Sequence, residues 1–168
     1  IKMLNSLSTE LVHIISEGLY PRFYRPYIKP YGTVETTPFL KDLYLKIGAR
    51  VILTLNISIS DSLVNGAFGK VLDFVFEGAK LKAVIVAFDN PEVGEQHRRD
   101  HLHDCAKYAA QNGTPIYRTT LDHSLQGSKK LHGAHGKTTQ FPLRLAWSAT
   151  GHRLQGVTLQ KGTNLIVH

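Results

Sequence analysis

The chain has 168 residues, 42% of them hydrophobic, enough for one core of ordinary size or two small lobes sharing a junction. No run approaches the roughly 18–20 apolar residues of a membrane span, and the first residues lack the basic-then-apolar order of a signal peptide, so neither a membrane partner nor export is expected. Lys and Arg outnumber Asp and Glu by 20 to 13, a net charge of +7 with neutral histidine, which favours a polyanionic partner; the single cysteine, Cys105, excludes an internal disulfide.

Residues 1–17 carry Leu7, Leu11, Ile14 and Ile15 at helical spacing, with Ser8 or Thr9 as a cap and Gly18 as a stop, and predict a short amphipathic helix. In residues 19–32, Tyr20, Phe23, Tyr24, Tyr27 and Tyr31 alternate with Arg22, Arg25, Lys29 and three prolines, a density that prevents a regular helix or a central strand. Such a segment can stack bases while holding phosphates, or it can be an extended linker whose tyrosines cover a neighbouring lobe. The linker is preferred, because aromatic planes need a rigid platform.

From residue 43 the pattern changes to short β-rich runs: Arg50–Asn56, Gly69–Phe76, Lys82–Asp89 and Ile116–Leu121, with Asn65-Gly66 and Glu77-Gly78 supplying turns. Strands at this spacing predict a small antiparallel barrel. Between the third and fourth runs, Val93–Asn112 predicts a helix with Leu102, Cys105, Ala106 and Ala109 on one face, ended by Gly113. Residues 126–140, rich in Gly, Lys and His, read as a mobile loop. Gln140–Trp147 leads into Thr150–Leu159, TGHRLQGVTL, and Thr163–His168 predicts a further strand. Ile1 at the start and a strand-like end predict a piece of a longer protein.

Three local patterns are weighed and set aside. His97, His101, His103 and Cys105 invite a metal, but no second ligand pair with zinc-like spacing follows, so no metal site is expected. The stretch from Gly133 to Thr138 looks like the end of a phosphate loop, yet two residues rather than four separate Gly133 from Gly136. Nothing orders a third partner for His152 with Cys105 or a serine, which argues against a hydrolytic triad.

Taken in order, Leu43–Asn56 (LYLKIGARVILTLN), Leu63–Phe74 (LVNGAFGKVLDF), Gln140–Trp147 (QFPLRLAW) and Thr150–Leu159 resemble the C-terminal part of Pif-type DNA helicases, the RecD-like branch of helicase superfamily one. The resemblance implies a mixed α/β fold: part of a RecA-like P-loop-type motor domain with an inserted small Src-homology-like β-barrel. Residues 1–42 would belong to the second motor domain and the Pro/Tyr-rich linker. Residues 43–137 would form the barrel, with a helical insertion near 93–112, and 138–168 the return into the motor domain carrying motif V.

By position, the resemblance places Thr150, His152 and Arg153 against DNA and Gln155, Gly156 and Thr158 at the nucleotide cleft, with no catalytic residue inside this segment. Arg153 stands where the family usually has lysine, and Gly151 where it has an apolar β-branched residue. Asn65, Gly66 and Gly69 are assigned to structure, as a turn and a close strand approach.

For the parent, the resemblance implies ATP and Mg2+, five-prime-to-three-prime translocation on single-stranded and forked DNA, roles in replication, recombination, repair and telomere maintenance, and an intracellular location, nuclear in a eukaryote. The phosphate loop, the Mg2+-binding motif and the arginine-finger motif are missing from these 168 residues, so the isolated chain is expected to be inactive and to bind neither cofactor. The alternatives are a non-catalytic nucleic-acid-binding module and an inactive remnant of a transposon-borne helicase.

Overall fold

The computed structural model describes residues 4, 7–22, 24–125 and 134–146. In chain order these residues form β1 Val12–Ile15, β2 Glu17–Leu19, β3 Asp42–Leu45, β4 Arg50–Leu53, β5 Phe68–Glu77, β6 Lys80–Phe88, α1 Glu95–Asp100, α2 Leu102–Cys105, a 3-10 segment Ala106–Gln111, β7 Gly113–Tyr117, β8 Thr119–Ser124, β9 His135–Gln140 and β10 Leu143–Leu145. Every pairing between them is antiparallel.

The strands make three sheets: β1 with β3, a five-stranded sheet in the order β10-β4-β5-β6-β7, and β2-β9-β8. The outer strands of the five-stranded sheet, β10 and β7, do not pair, so the expected small barrel is not closed among the described residues. What stands in its place is a meander wound around a long β5–β6 ribbon. The ribbon carries register shifts between Val71 and Asp73 and between Val75 and Phe76, which increase its local twist.

β6 explains the layering. Its residues are buried nearly throughout, as expected of a strand covered on both faces. Val84 and Val86 join Val51, Leu53, Val71, Ile116 and Leu143 in the main core, which also takes in Ile14, Leu43 and Leu45 from the β1–β3 pair. Ile85, pointing the other way, packs with Cys105 and Tyr108 from the helical insertion.

Several sequence expectations change here. The helix over residues 1–17 is replaced by β1 and β2: Val12, Ile14 and Ile15 are β-branched, and β1 finds a partner in β3, with Val12 opposite Leu45 and Ile15 opposite Asp42. Gly18 does not stop a helix; it pairs with Thr138 inside β2. The single helix over Val93–Asn112 is broken at His101, and its buried face is Cys105 and Tyr108, leaving Leu102, Ala106 and Ala109 exposed. The run Ile116–Leu121 divides between β7 and β8, which belong to different sheets. Within the expected loop 126–140, residues 135–140 form β9, because β8 and β2 supply pairing on both edges whatever the local composition. β9 runs through the expected domain boundary at 137/138.

The insertion is fastened to the long β4–β5 connection by one carboxylate. Asp61 accepts the backbone N–H groups of Gln96 and His97 at 3.0 and 2.9 Å, and its own carbonyl accepts the N–H of Gly94. These are donors at the start of α1 that no helical carbonyl reaches. Asp61→Ala is expected to cost about 1–2 kcal/mol, the range of a lost helix cap, read as a lower urea midpoint with an unchanged slope. A midpoint equal to that of the unsubstituted chain would show that the cap is dispensable.

Candidate nucleic-acid interface

The block Leu63–Phe74 contributes scaffolding. Leu63 is fully buried and its backbone pairs with Ser58. Asn65 donates its N–H to Asn56 Oδ1 at 2.8 Å, and Gly66, at φ 102, donates to the Leu53 carbonyl, closing the connection back onto the end of β4. This is a long connection between β4 and β5 rather than a two-residue hairpin. Gly69 is the second residue of β5, where a Cβ would sit 2.5 Å from Val86 Cγ1 and 2.8 Å from the Ala87 carbonyl oxygen. All three residues therefore shape the backbone.

The Pro/Tyr-rich strap, residues 20–35, divides in two. Tyr20 and Tyr24 turn inward: Tyr20 Oη lies 2.5 Å from Thr138 Oγ1 on β9, and Tyr24 Oη donates to Glu35 Oε1. Tyr27 and Tyr31 face solvent, 56% and 89% exposed. The covering-linker expectation describes the first pair and misses the second.

Under the strap lies a polar network that sequence reading did not find. Glu35 is 0% exposed and sits at φ 42, a left-handed conformation rare for a residue with a Cβ. Its N–H donates to the Tyr27 carbonyl at 2.8 Å while its Oε1 accepts the Tyr27 N–H at 3.1 Å, a two-way grip on the strap backbone. Its other oxygen faces His123 Nδ1 at 3.4 Å without a hydrogen bond, and His123 Nε2 lies 2.9 Å from Thr138 Oγ1. Burial is the main cause that raises the Tyr20 hydroxyl above its ordinary pKa, with the Glu35 charge adding to it and Thr138 opposing. Glu35 and His123 are far apart in sequence, and no spacing rule joins them.

The helical insertion holds a second buried group. Asp104 accepts from Lys82 Nζ at 2.9 Å and from Tyr117 Oη at 2.7 Å. Burial pushes its carboxyl up, but these bonds outweigh it and the pKa lies below the ordinary value. Tyr117 moves strongly upward, through burial and then Asp104. His97 is lowered chiefly by burial, and its Nε2 donates to the Pro115 carbonyl at 2.9 Å. Cys105 is buried and its thiol is raised by desolvation, opposite to the shift an activated nucleophile needs. These groups hold the insertion to β6 and β7, and no cluster with the makings of a metal site occurs among the described residues.

The cations sort by partner. Arg50 makes a bidentate pair with Asp89 at 2.6 Å, Arg118 reaches Glu17 at 3.1 Å, and Lys82 and Arg99 pair with Asp104 and Glu95. Arg25 and Lys29 on the strap are exposed and pair with no acid among the described residues. Gly136, Lys137 and Thr138 lie inside β9, Thr138 Oγ1 is taken by Tyr20 and His123, and they form no phosphate cradle. Thr150, His152, Arg153, Gln155, Gly156 and Thr158 lie outside the described residues.

No family model matches the chain. It is 33% identical over 123 residues to the human ATP-dependent DNA helicase PIF1, an alignment covering 73% of this chain and 15% of that protein. A crystal structure of Pif1 helicase from Candida albicans matches 95% of this chain and 34% of its own, at TM-score 0.61 and 27% identity. The chain matches a segment of the Pif1-type DNA helicases. Pif1 from Bacteroides in complex with ADP-AlF3 and single-stranded DNA shares the fold over 94% of this chain and 29% of its own, at TM-score 0.56 and 21% identity. The chain therefore spans about a seventh of the curated Pif1 relative, and its sheet-rich core is similar to part of a solved Pif1 helicase structure.

Proposed function

We propose that the chain is a segment of a Pif1-type ATP-dependent DNA helicase that unwinds DNA by five-prime-to-three-prime translocation. The observation that carries this reading is the 33% identity to human PIF1 over 123 residues. Residues 1–42 would complete the second motor domain and lead through the strap, the chain from residue 43 up to β9 would form the inserted sheet module, and β9 would begin the return that carries motif V. Thr150, His152 and Arg153 would hold phosphates of single-stranded DNA, Arg153 through a planar fork. Gln155, Gly156 and Thr158 would face the nucleotide cleft, so that DNA-facing and cleft-facing groups share one short element. The whole helicase would use ATP and Mg2+ inside the cell, in genome maintenance on forked DNA. This segment supplies DNA contacts and no phosphoryl chemistry.

The test uses the 168-residue chain with labelled single-stranded oligothymidine. Binding is expected to weaken as salt rises, and His152→Ala with Arg153→Ala to weaken it further. No DNA-stimulated ATP hydrolysis should appear. Turnover that Gln155→Ala abolishes would sink this division of labour.

A further inference from the structure

We propose that the exposed half of the strap is a second contact for single-stranded nucleic acid, with Tyr27 and Tyr31 stacking on bases and Arg25 and Lys29 holding the adjoining phosphates. The inference rests on the DNA-helicase reading and adds to it a site far in sequence from motif V.

Stacking needs flat groups that are exposed and already ordered, so that little freedom is lost on binding. The strap meets both conditions. Lys29-Pro30-Tyr31-Gly32 closes on itself with the Gly32 N–H donating to the Lys29 carbonyl at 2.8 Å, and proline at its second position presets the bend. Below the turn, Lys29 N–H donates to the Thr33 carbonyl and Ile28 pairs with Val34. Thr33 pairs in turn with Leu40, and the Lys41 N–H reaches the Gly32 carbonyl, so a third extended segment backs the hairpin. Val34 and Phe39, 2% and 1% exposed, root the hairpin in the interior, and Glu35 grips Tyr27 from beneath. The rigid platform that the sequence alone left in doubt is present.

Charge selects the occupant. Residues 18–34 contain no acid, and Arg25 and Lys29 stand beside the exposed tyrosines with no acidic partner among the described residues. A single strand offers a base and a phosphate in alternation, which aromatic and cationic groups in alternation can meet.

The experiment measures binding of the 168-residue chain to labelled oligothymidine by fluorescence anisotropy at low and moderate salt. Tyr27→Ala with Tyr31→Ala should weaken binding by about tenfold or more, following the usual loss per stacked base. Tyr27→Phe with Tyr31→Phe should stay within about twofold, since the π-face is kept. Arg25→Ala with Lys29→Ala should flatten the salt dependence. If Tyr27→Ala lowers the melting temperature, Tyr31→Ala carries the test alone, its side chain being the more exposed. Affinity within twofold for the alanine pair overturns the proposal, as does equal competition by duplex of the same length, which would mark a polyanion site without stacking. Loss with His152→Ala and Arg153→Ala but not with the tyrosine variants overturns the strap alone; the reverse pattern overturns the motif V assignment and leaves the strap standing.

Discussion

Gln140→Leu is expected to cost about 3–5 kcal/mol, a large share of the roughly 5–15 kcal/mol that holds an ordinary domain folded. Gln140 is 0% exposed and closes β9. Its Nε2 donates to the Ile14 carbonyl at 3.2 Å and to the Leu40 carbonyl at 3.1 Å, while its Oε1 accepts the Phe141 N–H at 3.0 Å. One side chain thus ties together β1, the segment leading into β3 and the corner into β10. Leucine matches it in size and satisfies none of those groups, each of which costs about 1–3 kcal/mol when left unpaired away from water. Gln140→Glu keeps the shape and one acceptor but loses both donors, and it should be at least as damaging. Urea unfolding of both variants checks this. A loss below about 1 kcal/mol for leucine would mean that the corner relaxes enough for water to reach those carbonyls.

Gly69→Ala should be comparably severe, at about 2–4 kcal/mol, for a reason of space rather than bonding. Gly69 pairs with Phe88 across the β5–β6 ribbon. The methyl group would meet Val86 Cγ1 at 2.5 Å and the Ala87 carbonyl oxygen at 2.8 Å. Val86 is fully buried in the main core, and the Ala87 backbone is held between β5 and β7, so neither can retreat cheaply. A double-mutant cycle separates the two contacts. Val86→Ala removes the methyl clash and leaves the carbonyl, so it should relieve only part of the Gly69→Ala cost. Complete relief would show that the side chain, and not the backbone, sets the limit.

Short apolar, β-branched-rich runs bounded by turn residues, such as Gly69–Phe76 and Lys82–Asp89, could be read from sequence because composition over a few residues is a local signal. β1 could not. Leu7, Leu11, Ile14 and Ile15 satisfy helical spacing, and what overrules them is a partner strand at residues 42–45. β9 was hidden the other way: its Gly, Lys and Thr carry no hydrophobic pattern, and pairing on both edges makes it a strand. In the candidate site, the roles of Gly66 and Gly69 follow from glycine chemistry within a short block. The Glu35–His123 contact joins a strap to a strand through a buried carboxylate, which no spacing announces. The exposure of Tyr27 and Tyr31 was equally hidden, since whether a tyrosine in a Pro-rich run faces in or out depends on what lies beneath it.

The order of pairing along the chain also bears on how the fold is reached. β5 and β6 are joined by Gly78-Ala79 alone, so this ribbon closes a short loop with little entropy lost, and β4 joins it across the longer connection of residues 54–67. β2 matches residues 17–19 to 139–137, and Gln140 then fastens residues 14 and 40. Both wait for the far end of the described chain. During synthesis the ribbon can form while β2 and the strap still lack the strand they lean on, and the emergence of residues 135–140 is the step that sets the strap in place.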